Sequence, residues 1–93
     1  MSKCLKLYYI MEKYVIKRNG DYKPFEAYKI QVAIQKAFKS VYLPMDKKIL
    51  KIVLEGLELK YSWPVEEIQD IIERVLFTRG YFSVMKSFMV YRH

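Results

Sequence analysis

The dipeptide Asn19-Gly20 does most to narrow what this chain can fold into. It stands between Tyr14-Val15-Ile16-Lys17-Arg18 and Asp21-Tyr22-Lys23-Pro24-Phe25, two short stretches rich in aromatic and β-branched residues. Asn-Gly in that setting predicts a β-hairpin with a type I′ turn, which needs positive φ at both central positions. Strands over about 13–18 and 21–25 follow, with Pro24 tolerated on an edge. A two-stranded hairpin is marginal alone in water, so the remaining chain must offer an apolar surface for it to pack on.

That surface is written in helical periodicity. From about 26 to 41 the apolar residues Ile30, Ala33, Ile34, Ala37, Phe38 and Val41 follow the i, i+3, i+4, i+7 pattern of one buried face. Tyr42-Leu43-Pro44-Met45 breaks it, and Asp46 is placed to N-cap a second helix carrying Ile49, Leu50, Ile52, Val53, Leu54 and Leu57. Its wide apolar band predicts a central, well-buried helix, with Gly56 as a close-packing point or an early end. Ser62-Trp63-Pro64 reads as a cap region, with Pro64 at the first helical position. A third stripe follows at Val65, Ile68, Ile71, Ile72, Val75 and Leu76, closed by Arg79-Gly80. A fourth helix, about 81–91, is expected to bury Val84, Met85, Phe88 and Met89. The predicted architecture is α+β: a small N-terminal β-hairpin packed as a lid on a four-helix unit. Residues 1–12 show no such pattern and read as an N-terminal extension, with Met11 an alternative natural start.

Composition removes whole classes of function. One cysteine, Cys4, leaves no disulfide framework or multi-cysteine metal site, and one histidine, His93, leaves little for zinc or histidine-based catalysis. No run of 18 apolar residues is present to span a membrane, and a reducing, cytoplasmic setting is expected. The net charge of +7 is uneven: residues 1–51 carry 12 basic against four acidic groups, while 52–93 carry five against six. A basic half beside a neutral one points to an anionic partner.

The residues nearest the hairpin suggest which anion. Lys17, Arg18 and Lys23 lie on or beside the strands, and Lys29 lies near the start of the first helix, the end that favours anions. Alternation along a strand puts Lys17 and Arg18 on opposite faces, unless one sits at a twisted edge. Glu66, Glu67, Asp70 and Glu73 read as a solvated helix face. Tyr14, Tyr22 and Tyr28 interleave with lysines and offer a weaker base-stacking surface.

Val15-Ile16-Lys17-Arg18-Asn19-Gly20, then Pro24-Phe25-Glu26, then Lys29-Ile30 with Ala33-Ile34, resembles the opening of the ATP-cone. Val65-Glu66-Glu67-Ile68-Gln69-Asp70, Glu73-Arg74-Val75-Leu76, Val84 and Tyr91-Arg92 are similar to its later segments, so the resemblance spans about 13–92. ATP-cones are the N-terminal nucleotide-binding regulatory domains of ribonucleotide reductases. The resemblance implies ATP or dATP as allosteric effector, with Mg²⁺ on the phosphates and an output through oligomerisation or docking of a reductase body. It implies that Lys17, Arg18 and Lys29 hold the triphosphate, Val15 and Ile30 flank the adenine, and Glu26 lies near the base or sugar. Lys23 matches a nucleotide-contacting position in some members, and Arg92 or His93 matches the basic close of the last helix.

The chain also departs from the family. Lys23 replaces a glutamate seen in some members, and Met85 stands where a small residue is usual. The ATP-cone also occurs in a bacterial repressor of reductase genes, behind a zinc ribbon of four cysteines; those cysteines are absent here, as are the reductase catalytic cysteines, so no catalysis is expected of this chain by itself. The competing reading is a basic nucleic-acid-binding module, with affinity falling steeply with salt and no preference for adenine nucleotides. A third is an interaction domain that uses the hairpin edge.

Overall fold

A computed structural model describes residues 13–60 and 62–91. The hairpin forms, with strands β1 (Tyr14–Ile16) and β2 (Tyr22–Pro24). They pair antiparallel, Tyr14 opposite Pro24 and Ile16 opposite Tyr22. The turn is not type I′. Of its two signature residues only Gly20 takes a positive φ, 92°. Gly20 N–H donates to the Lys17 carbonyl at 2.9 Å, and Lys17 N–H donates to the Asp21 carbonyl at 2.8 Å. The loop is therefore three residues, Arg18-Asn19-Gly20, with the glycine in the left-handed position of a bulged turn. Asn19 favours it locally, because its Oδ1 accepts from the Asp21 N–H at 3.0 Å.

Ser62–Pro64 forms a third strand, β3, where the sequence suggested only a cap. It runs parallel to β1, Val15 opposite Trp63, which makes β1 the centre of a three-stranded sheet. The lid on the helices is thus a mixed sheet. Pro64 also moves: it is the N-cap of the third helix, at φ −60° and ψ 145°, not its first helical residue. Trp63 is 1% exposed, packs its ring 5.8 Å from that of Phe25, and lies under the Lys13 ammonium at 5.1 Å. Lys13 Nζ also donates to the carbonyls of Leu57, Glu58 and Lys60 at 3.2, 3.3 and 2.9 Å. One lysine so ties the start of β1 to the chain entering β3 and satisfies carbonyls beyond a helix end.

Among the described residues four helices carry the sheet: α1 (Ala27–Ser40), α2 (Lys47–Gly56), α3 (Val65–Thr78) and α4 (Phe82–Tyr91), with a 3₁₀ turn at Leu57–Leu59. Among the described residues the core is Ile30, Ile34, Ala37 and Phe38 of α1, Ile49 and Val53 of α2, Leu57 of the 3₁₀ turn, Trp63 of β3, Ile68, Ile72 and Leu76 of α3, and Val84 and Phe88 of α4. Two expectations fail. Helix α2 is not central: Leu50, Ile52 and Leu54 are only half-buried, because α2 packs against α1 and α3 while Lys47, Lys48 and Lys51 face outward. Met89 is exposed, on the side of α4 away from Val84 and Phe88, and Met85 is half-buried. Gly56 marks the end of α2, since an added Cβ would make only an ordinary 3.8 Å contact with Ile71. Among the described residues no helix is long and apolar enough to cross a membrane.

The helix ends are set chemically. Helix α3 closes on Gly80 at φ 84°, with Tyr81 N–H donating to the Leu76 carbonyl and Gly80 N–H to Phe77, the two bonds of a Schellman motif. Helix α1 closes in the same way on Tyr42, at φ 62°. Asp46 N-caps α2 by accepting from Lys48 N–H at 2.9 Å, and its other oxygen accepts from the Tyr81 hydroxyl at 2.8 Å.

The Tyr81 hydroxyl, then the Lys48 N–H, hold the Asp46 carboxyl below its ordinary pKa of 3.8. A depressed folded-state pKa stabilises above the unfolded value and loses that contribution as pH falls through the folded one. Tyr81→Phe, which keeps the ring against Phe38 at 5.0 Å, is expected to flatten the fall in stability below about pH 4. Urea unfolding across the acid range checks this; an unchanged acid slope refutes it.

Candidate functional site

Among the described residues the sheet and helices border two adjoining spaces. The inner is a cleft of about 240 Å³ lined by Val15, Lys17, Lys23, Pro24, Phe25, Glu26, Lys29, Ile30, Ala33, Val65, Ile68, Gln69, Ile72 and Phe88. The outer is a shallower recess lined by Lys17, Arg18, Asn19, Asp21, Lys23, Val65 and Gln69. Lys17, Lys23, Val65 and Gln69 border both, so the two form one continuous site.

Backbone geometry explains the membership. Register places Val15, Lys23 and Trp63 side by side, hence on one face of the sheet. Lys17, two residues after Val15, keeps that face. Arg18 is freed from alternation because it lies in the turn, so it borders the same recess as Lys17. Glu26 and Lys29 open α1, with Lys29 Nζ 3.3 Å from Glu26 Oε1, and Ile30 and Ala33 continue the wall one turn on. Helix α3 opens at Val65 and adds Ile68, Gln69 and Ile72. Neither α1 nor α3 has a side-chain hydrogen bond at its N-cap, so the site lies against two helix starts that favour anions.

Of the sequence-derived residues, Val15, Lys17, Lys23, Glu26, Lys29 and Ile30 line the inner cleft, and Arg18 lines the adjoining recess. Arg92 and His93 lie outside the described residues, as does the 1–12 segment with Cys4. Phe88 lines the cleft one turn before the end of α4 at Tyr91, so that helix runs toward the site. The tyrosines stand apart. Tyr14 and Tyr22 meet edge-to-face at 6.4 Å on the other side of the sheet, and neither they nor Tyr28 line the cleft.

The charges are arranged for an anion at the mouth. Lys17 and Lys23 make no ion pair or side-chain hydrogen bond among the described residues. Arg18 Nε donates to Glu66 Oε2 at 2.7 Å, and Lys60 Nζ donates to both oxygens of Glu67 at 2.9 and 2.8 Å. The acidic face of α3 is therefore drawn partly into ion pairs with the hairpin and the chain before β3. Among the described residues no three His, Cys, Asp or Glu side chains come together to hold a metal.

Gln69 was not singled out from the sequence. Its Oε1 is buried and accepts no hydrogen bond among the described residues, which native structures rarely allow without a reason. A polar helix residue between two glutamates and an aspartate looks solvated in sequence. Only its position between the cleft and the recess marks it.

Residues 13–93 match the family described as ATP cone domain. The chain is 39% identical over a 90-position alignment, which covers 88% of this chain and 12% of the relative, to a vitamin B12-dependent ribonucleoside-diphosphate reductase of Thermoplasma acidophilum. It is 33% identical over 90 residues to a ribonucleoside-diphosphate reductase subunit alpha of Treponema pallidum, covering 85% of this chain and 11% of the relative. A subunit alpha of Chlamydia pneumoniae is 32% identical over 91 residues, covering 84% of this chain and 9% of that protein. The chain thus spans roughly a tenth of these relatives.

Proposed function

The chain belongs to the ATP-cone family of regulatory nucleotide-binding domains, and from that premise we propose that its cleft binds ATP and dATP and reports them to a ribonucleotide reductase body. One observation carries the reading: a single site joins an apolar inner wall to a mouth where Lys17 and Lys23 have no ion-pair partner among the described residues.

The chemistry assigns the parts. Val15, Ile30 and Phe88 present apolar surface to a base. Glu26, with only acceptor oxygens, suits the exocyclic amine of adenine and repels the carbonyl that guanine has there. Lys17, Arg18 and Lys29 are the cations for the triphosphate, with Lys23 beside them and Arg92 next after the described end of α4. Charge-assisted hydrogen bonds of this kind contribute roughly 1.5–3 kcal/mol each. Gln69, at the junction of cleft and recess, is placed for the sugar, where Oε1 would accept from a ribose hydroxyl. Magnesium carried on the phosphates would offset part of their charge, and Asp21 is the recess carboxylate suited to it.

Regulation requires the two nucleotides to favour different arrangements, since a ligand with equal affinity for both shifts nothing. Output through oligomerisation, or through docking on a reductase body in the same chain or a separate subunit, would begin where the sheet meets α3. The domain itself supplies recognition and no catalysis.

Thermal unfolding with ATP, dATP, GTP and a short single-stranded DNA tests the reading. Ligand at a hundredfold its Kd adds about 2.7 kcal/mol, enough to raise Tm by roughly ten degrees in a domain this small. That rise is expected with the adenine nucleotides and magnesium, and not with GTP. Gln69→Leu removes the unpaired acceptor, so its Tm without ligand should not fall, while the difference between ATP and dATP should shrink. No shift with millimolar ATP refutes the proposal. A salt-sensitive shift with DNA alone would establish the nucleic-acid reading instead.

A further inference from the structure

Arg18 is already held by an anion. Its Nε donates to Glu66 Oε2 at 2.7 Å across 48 residues of sequence, joining the hairpin turn to the first turn of α3. Glu66 follows directly on Val65, which lines the recess beside Lys17 and Lys23. Its neighbour Glu67 is engaged by Lys60 and does not compete. A carboxylate and a phosphate ask the same thing of a guanidinium: charged oxygens in the plane of its N–H groups. Glu66 therefore takes up, from within the chain, the kind of contact an incoming phosphate oxygen needs.

We propose that Glu66 is an internal counter-anion of the recess. Binding of a polyphosphate is then an exchange, in which phosphate oxygens take Arg18 from Glu66 and the hairpin is unclipped from α3. The proposal rests on the reading of the cleft as a nucleotide site and deepens it. It identifies what the ligand must displace and which contact changes when it arrives.

Magnitudes allow the exchange. The two side chains are 54% and 45% exposed, and pairs so exposed contribute little to stability. A triphosphate bringing several charges outbids one carboxylate, while the carboxylate still taxes every polyanion that binds. The cost falls on the phosphate moiety and not on the base. It thus lowers affinity for ATP and for free tripolyphosphate alike. The pair also gives the site a mechanical output: with Glu66 engaged, the hairpin and α3 share a contact that the liganded state lacks.

Calorimetric titration of the whole chain with ATP and with sodium tripolyphosphate tests this, on wild type, Glu66→Gln, Arg18→Gln and the double variant. Glu66→Gln is expected to tighten both ligands by about two- to fivefold, the range of an exposed pair. In the Arg18→Gln background the same change should give less than half that gain, because the contact it relieves no longer exists. An equal gain in both backgrounds would show only a general charge effect, and no gain would show that Glu66 does not compete; either result overturns the exchange while leaving nucleotide binding intact. Coupling seen with tripolyphosphate but no binding of ATP would keep the exchange and refute the nucleotide reading. If neither polyanion binds the wild type, both fall.

Discussion

Trp63→Ala is expected to abolish the folded domain at 37 °C. The indole is 1% exposed and lies at the centre of β3, opposite Val15, with Phe25 against it and the Lys13 ammonium over it. Truncating a buried aromatic to alanine costs about 3–5 kcal/mol, while domains have only roughly 0.05–0.15 kcal/mol per residue to lose. At the lower end of that range the loss equals the whole stability of 93 residues. Its effect is wider than the cavity, because the same ring joins the parallel strand to the helices and sets the floor of the sheet that carries Val15, Lys17 and Lys23. Denaturant unfolding followed by circular dichroism should show no cooperative transition at 37 °C. Trp63→Phe, which keeps an aromatic in place, should retain one at lower denaturant. A cooperative Trp63→Ala domain that still binds nucleotide would show that the sheet does not depend on this ring.

The second large effect concerns the mouth of the site. Lys17→Ala with Lys23→Ala is expected to weaken ATP binding by about a hundredfold or more, at roughly 1.5–3 kcal/mol for each charge-assisted bond lost. Stability without ligand should barely change, because both side chains are exposed and neither has an ion-pair partner among the described residues. Isothermal calorimetry and denaturant unfolding of the same sample separate the two. Loss of binding with a matching loss of stability would mean that the lysines serve the fold. Retained affinity would move the phosphates elsewhere, toward Lys29.

Much of this was legible in one dimension. The stripes of α1, α3 and α4 are periodic enough to read directly, and Asp46 announces the start of α2. The hairpin was legible in its existence but not in its turn, since Asn-Gly serves a bulged three-residue loop as well as a type I′ turn. Strand β3 was not legible. Ser62-Trp63-Pro64 is too short for alternation to show, and its pairing with β1 is made across nearly fifty residues. Met89 and α2 depart from their apolar pattern for a related reason: periodicity shows which face is apolar, not whether another element arrives to cover it. Gln69 escaped because burial of a polar side chain is a property of its neighbours.

The sequence alone determined the family, the hairpin and helices, and the uneven placing of the +7 charge, because these rest on local spacing and residue type. Tertiary structure alone decided that a parallel third strand completes the sheet, that Lys17 and Arg18 border one recess despite being adjacent, and that the Oε1 of half-buried Gln69 is shut in between cleft and recess. It also decided that Arg18 meets Glu66. Each of these depends on segments far apart in the chain coming into register, and no local pattern encodes where a distant partner will lie.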